Sequence, residues 1–309
     1  MSPSSMITIS AIILLIIAGF FLFRAMKRKK RIVEARRIEE EANKPFEEPA
    51  LLGIQPDMPV REAILFLEKA FDDYYGDMLK DRAIRKFGWT EEAYRITVFE
   101  LKRYFLIHAL LKSTPLRGER PYLLWKEMTL LKERYEGFIR AISGRLRPEG
   151  PDESENHYLH QQAMFDWFYC TLFVPTRFSH SEWGGFHQHS FDPELLYHYK
   201  AVGHNTLTLM LFSMEGINHT HEFEQLSVHL MSRFRKHLHY AAALGTDAAG
   251  TKDFIELLEK LEGKDVFSSV YTAYWSGSRA PKDESAAAAQ TDQAVRPLKK
   301  KKFVRKIRL

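Results

Sequence analysis

A single cysteine in 309 residues excludes an intrachain disulfide, and with it a small secreted fold stapled by bridges. Cys170 sits in the aromatic run Trp167, Phe168, Tyr169, where a lone cysteine serves by default as a small buried hydrophobe. Common catalytic signatures are missing too. The chain has no Gly-rich phosphate loop, no G-x-S-x-G elbow, no kinase set, no C-x-x-C, no H-E-x-x-H and no EF-hand loop. Asp72 with Asp73, and Glu91 with Glu92, are neighbours on predicted helices and diverge, so they read as solvated faces rather than acid–base pairs. No charged side chain precedes Arg24, and without cations ahead of the first apolar stretch, or a small-residue site after it, a cleavable signal peptide is excluded.

That stretch, residues 6–23, is uncharged and rich in Ile, Leu, Phe and Ala. It just reaches the roughly 18 to 20 residues that a helix needs to cross a bilayer, and the sequence therefore predicts a transmembrane helix. Cations follow it at once: Arg24, Lys27, Arg28, Lys29, Lys30 and Arg31. Positive charge stays inside, so residues 1–5 are expected outside and the remainder in the cytoplasm, a single-pass cell-membrane protein. On that topology Asn218, His219 and Thr220 form an N-x-T sequence that never meets the glycosylation machinery.

Charge is unevenly placed. Six cations lie in residues 24–31 and eight more at the C-terminus, Arg296, Lys299, Lys300, Lys301, Lys302, Arg305, Lys306 and Arg308; with a net charge of +5, residues 32–295 carry −9. Net positive charge placed only at the termini of an acidic body argues against nucleic acid, which needs it on a folded face. Residues 276–309 form a low-complexity linker and then the tail KKKKFVRKIRL, with Phe303, Val304, Ile307 and Leu309 among the cations. Such a tail, with Lys27 to Arg31, is suited to an anionic membrane surface, at about 1 kcal/mol per cation; the alternative is a solvated tail without a dedicated partner.

A hydrophobic content of 45% supplies one large domain or two small ones, and its spacing is helical. The fold class read from the sequence is mainly α, one N-terminal transmembrane helix followed by a helical cytoplasmic domain. Residues 24–49 form a basic juxtamembrane segment and linker ended by Pro45 and Pro49, and residues 50–275 the domain, with a candidate subdivision at the Pro- and Gly-containing loop 145–156. Ile64, Leu67, Phe71, Tyr74 or Tyr75 and Met78 mark one helix. Tyr94, Val98, Leu101 and Phe105 mark a second, apolar also at Phe99, Leu106 and Leu110, hence buried on two sides and central. Leu124, Met128, Leu131, Tyr135, Phe138 and Ile142 mark a third, with Lys126, Glu127, Lys132, Glu133 and Glu136 on its other side, Pro121 in its first turn and Gly144 as its stop. Phe223, Leu226, Leu230, Phe234 and Leu238 mark another. Residues 183–191 read as a strand or an extended loop.

Residues 94–139 carry a resemblance. An aromatic-rich helix, a loop, then Trp125, Leu130 or Leu131, Tyr135 and Phe138 resemble the helix pair of glycine-rich-domain-like proteins, which have a Trp-His pair, a spaced Leu and a Tyr-x-x-Phe. The position of that His is Lys126 here, so no role resting on it carries over. The resemblance implies a helical fold.

Twelve of the 13 histidines lie between His157 and His239. Imidazole is the commonest protein ligand for zinc and related ions, which makes three pairs candidate ligands. His157 and His160 share a helix face, His187 and His189 lie in the loop SEWGGFHQHSFD near Asp192, and His219 and His221 precede the helix at Phe223. The alternatives are hydrogen-bonded core histidines or a pH-responsive face. The function expected first is an interaction or scaffold module at the inner leaflet that binds another protein and needs no cofactor. The second is a histidine-rich, membrane-bound protein binding a divalent transition metal such as zinc, with enzymatic use of it.

Overall fold

A computed structural model describes residues 44–71, 73–143, 155–213, 221–245, 249, 251–261 and 264–276. Among them run twelve α-helices: α1 Arg61–Ala70, α2 Asp73–Phe87, α3 Glu91–Leu110, α4 Glu119–Leu130, α5 Lys132–Ser143, α6 Glu155–Leu172, α7 Arg177–Trp183, α8 Pro193–Ala201, α9 His204–Leu211, α10 His221–Leu244, α11 Lys252–Lys260 and α12 Lys264–Ser276. No strand occurs among the described residues. Two isolated antiparallel bridges, Ile54 with Phe173 and Leu111 with Phe212, tie extended stretches together where the chain leaves its helices.

The helix expected at the centre is there. Thr90 caps α3 by accepting a hydrogen bond from the Ala93 N–H, and Glu91 and Glu92 in the first turn complement the helix dipole. With no Gly or Pro before Leu110, nothing breaks it. Around it pack α1, α2, α4 and α5 on one side and α6 and α7 on the other. A second group gathers on α10, against which α8, α9 and α12 lie; its core face is the expected stripe Phe223, Leu226, Leu230, Phe234 and Leu238, all buried. Two helices link the groups: α6, which touches α3 and α12, and α1, which touches α10 and gives the Glu62 and Ala63 N–H groups to Glu222. The buried run of α6, Phe165, Trp167, Phe168, Tyr169 and Leu172, has apolar and aromatic side chains all round, as a helix enclosed on every side requires.

Two expected helices are each a pair. The first breaks at Phe71 (φ −94°, ψ 69°) and the third at Leu131 (φ −90°, ψ 58°). A break of one or two residues leaves the three-and-four spacing intact, so the pattern in sequence cannot register it. Trp125 Nε1–H donates to the Tyr135 hydroxyl across the second break, 3.0 Å. Glu127, on the side opposite the apolar stripe, is buried between Arg82 and Lys86 of α2; burial pushes its carboxyl pKa up, but the two cations together hold it below the usual range. Residues 184–192 form a loop rather than a strand.

The membrane-spanning architecture is corrected. No helix among the described residues is long and apolar enough to cross a membrane. The two longest, α3 and α10, have the length but carry charges along it, Arg95, Glu100, Lys102 and Arg103 in the one and Arg233, Arg235 and Lys236 in the other. Residues 6–23, on which the single-pass reading rested, lie outside the described residues, and the N-out cell-membrane placement falls with it. Gly144 and most of the 145–156 loop also lie outside them.

Phe138 packs its ring against Phe71, Tyr75 and Phe105, at centroid distances of 5.7, 6.2 and 4.9 Å, whereas Leu130 beside the break is 59% exposed. Phe138→Ala is expected to cost about 3–5 kcal/mol and Leu130→Ala under about 0.5 kcal/mol. Urea unfolding of the two variants checks the register of α4 and α5.

Candidate functional site

The expected metal ligands do not come together among the described residues. Among the described residues no three of His, Cys, Asp and Glu are placed to hold a metal ion. His160 is buried; its Nδ1 accepts the Asp192 N–H (3.0 Å) and its Nε2 lies 3.2 Å from the Tyr199 hydroxyl. The first bond leaves Nδ1 without a proton, so the neutral ring carries its hydrogen on Nε2 and gives it to Tyr199. His157 is on α6, but its side chain lies outside the described residues, as does His219. His221 stands exposed at the start of α10 with the Gln225 amide 2.8 Å away. The basic residues Lys27, Arg28, Lys29, Lys30, Arg31, Lys299, Lys300, Lys301, Lys302, Arg305, Lys306 and Arg308 are outside the described residues too.

His187 contributes its backbone. Its N–H donates to Asp166 Oδ2 at 2.7 Å, and the residue sits at φ 60°, a conformation that costs a non-glycine residue energy and persists only when its surroundings fix it. Asp166, fully buried on α6, supplies that fixing. Its other oxygen is paired with Arg117, whose guanidinium lies over the rings of Phe165 and Phe186. His189 stands by the same cation: burial first, and then the charge of Arg117, lower its imidazole pKa.

A second arginine three residues on repeats the arrangement. Arg120 is paired with Glu182, a buried residue of α7, whose other oxygen is 3.1 Å from the Thr97 hydroxyl of α3. Between the arginines Gly118 has φ 91°, and a Cβ there would stand 2.1 Å from the Glu182 carbonyl oxygen, so only glycine lets this strap lie on α7. Burial is the largest influence on both carboxyls and outweighs the arginines, pushing Asp166 up to about 6 and Glu182 up to about 7.

Beneath the strap lies the deepest polar cluster. Glu100 on α3 accepts from the Tyr169 hydroxyl (2.5 Å), Trp183 Nε1 (2.8 Å), Ser179 Oγ (2.8 Å) and Arg103 (3.3 Å), which fills the four positions a carboxylate offers. Arg103 also donates to the Leu52 carbonyl (2.8 Å) and the Tyr169 hydroxyl (2.6 Å), and stacks over Phe99 at 4.3 Å. Burial and then the charge of Glu100 push the Tyr169 phenol well above its ordinary pKa, so it stays protonated and donates. Each of these groups is occupied by another, which makes the cluster a structural lock.

Groups turned outward are of another kind. On α9 Leu207 is the one buried residue, whereas Leu209 is 53% and Met210 36% exposed. Exposed uncharged polar residues stand around them: His204, Asn205 and Thr206. The spacing of histidines gave no sign of this surface; the readable signal was the uncharged segment HNTLTLML on a helix too short to bury its apolar residues.

A carboxyl whose pKa is raised by folding stabilises the folded state fully below its unfolded pKa, and that contribution is lost as pH rises through the folded value. For Asp166 the window runs from its ordinary 3.8 to about 6. Asn in its place cannot ionise. The stability of the wild-type chain relative to Asp166→Asn is therefore expected to fall as pH rises through that window and to level off above it, as read by urea unfolding at each pH. A relative stability that rises over the same range would mean that the Arg117 pair outweighs burial.

Compared with known proteins, the chain matches no family model, no curated protein and no solved structure, so the resemblance of residues 94–139 rests on Trp125, Tyr135 and Phe138 themselves.

Proposed function

We propose that this chain is a helical interaction module that docks a protein partner through α9. The observation that carries the reading is the exposure of Leu209 and Met210 side by side on a helix that buries Leu207 alone. Large apolar side chains in contiguous exposure on a folded body mark sites of association. Their surroundings have the make-up of an interface: an apolar centre, an uncharged polar rim and no Lys, Arg, Asp or Glu in His204–Leu211. Met210 adds adaptability, since a thioether side chain fits irregular partner surfaces. An eight-residue helix is too short to be stable by itself in water, so α9 is presented by the body it packs on, chiefly α10.

The partner suited to such a patch is a protein surface with a shallow apolar groove and few charges. A photo-cross-linking residue at Thr206, on the rim, in the full chain tests this in cells. The expected result is one discrete cross-linked species, lost when Leu209→Glu and Met210→Glu are introduced, with none from the same probe at Glu136 on α5. Cross-linking at Thr206 that is diffuse, or unchanged by the two substitutions, would remove α9 as the docking element.

A further inference from the structure

One face of α10 faces the core and another lines a cavity. Residues 229, 232, 233, 236 and 237 recur at helical spacing, and with Leu261, which follows α11, they line a cavity open to solvent, of about 150 Å³, at whose mouth Ser232 and Lys236 are exposed. All five carry hydrogen-bond donors: the imidazoles of His229 and His237, the Ser232 hydroxyl, the Arg233 guanidinium and the Lys236 ammonium. The fully buried His237 accepts Trp167 Nε1–H at Nδ1 (3.2 Å), so its neutral ring carries the hydrogen on Nε2 and is itself a donor.

Among the described residues the charges at the cavity do not cancel. Arg233 is paired with Asp57 at 2.7 Å, and the same carboxylate oxygen lies 3.5 Å from His229 Nε2. Lys236, held over the Tyr240 ring at 5.9 Å, has no carboxylate partner among the described residues. One cation without a carboxylate partner among the described residues, several donors and an apolar wall at Leu261, which is 8% exposed, describe a receptor for one negative charge with a short apolar body. A phosphate dianion would need a second uncompensated cation and would be repelled by Asp57. A cavity of this size takes a ligand of about six non-hydrogen atoms.

We infer that the cavity lined by Ser232, Arg233, Lys236, His237 and Leu261 binds a small aliphatic monocarboxylate. Its carboxylate is recognised by Lys236 with the Ser232 hydroxyl, and its hydrocarbon end lies on Leu261. The site is distinct from the docking patch on α9, and neither depends on the other.

The Trp167 indole N–H, bonded to His237, reports on the cavity. Nitrogen-15 spectra of the full chain would show it among five indole signals, identified by its loss in Trp167→Phe. Sodium butyrate is titrated at constant ionic strength against chloride, with inorganic phosphate as a second arm. The expected result is a saturable shift of the Trp167 signal with butyrate and none with chloride or phosphate, weakened about tenfold in Lys236→Gln, the scale of one charge-assisted hydrogen bond. The other four indole signals should stay in place in that variant, which shows it folded. No saturation by butyrate, saturation by phosphate instead, or an unchanged response in Lys236→Gln would each overturn the assignment.

Discussion

A carboxylate cut off from water is tolerable only when protein groups replace its hydration. Glu100 meets that condition in the middle of α3, and the way it does so arranges the surrounding helices. Its donors come from α6 through Tyr169 and from α7 through Ser179 and Trp183, while its neighbour Arg103 reaches the carbonyl of Leu52. Shifting any one of these elements by a side chain's width would leave a buried charge without a partner, at a cost of several kcal/mol. Compared with an apolar core of equal volume, such a cluster adds little net stability. What it adds is a single admissible arrangement.

From that arrangement the outer features follow in order. Once α7 is fixed, Glu182 is placed under Arg120; Gly118 then lets the strap lie against the α7 backbone, and Arg117 closes on Asp166. Asp166 in turn holds the backbone of His187. The loop that follows α7 is thus anchored from below by a carboxylate. On the far side of α6, Trp167 binds His237 and so couples the central group of helices to α10. That helix presents one face to the core and another to the cavity, while α9 on its flank keeps Leu209 and Met210 in water.

Helix positions were legible in the sequence because burial on one or two faces leaves a periodic trace. This holds for α3, with its two apolar faces, and for α10, with its stripe from Phe223 to Leu238. The breaks at Phe71 and Leu131 leave no such trace, since the periodicity passes through them unchanged. Glu100 and Arg103 were visible as charges within a helix apolar on both sides, a contradiction that only burial with partners resolves; the partners, 51 to 83 residues away, could not be inferred from spacing. The histidines show a related limit. Clustering along the chain suggested convergence, but His160 is spent on Asp192 and Tyr199, and His187 uses its amide. Glu127 shows the same limit, because a position opposite an apolar stripe is solvated only if no other helix covers it, and α2 does.

The central claim is that Glu100 and Arg103 act as one unit on which the packing of α3, α6 and α7 depends. A double-mutant cycle of Glu100→Gln, Arg103→Met and the pair, read by urea unfolding of the full chain, tests it most directly. Each single substitution is predicted to cost about 3–5 kcal/mol, and the double substitution less than the sum, by on the order of 1–3 kcal/mol of coupling. Single costs under about 1 kcal/mol that simply add would show that the cluster is a passive inclusion and that apolar packing alone sets the arrangement.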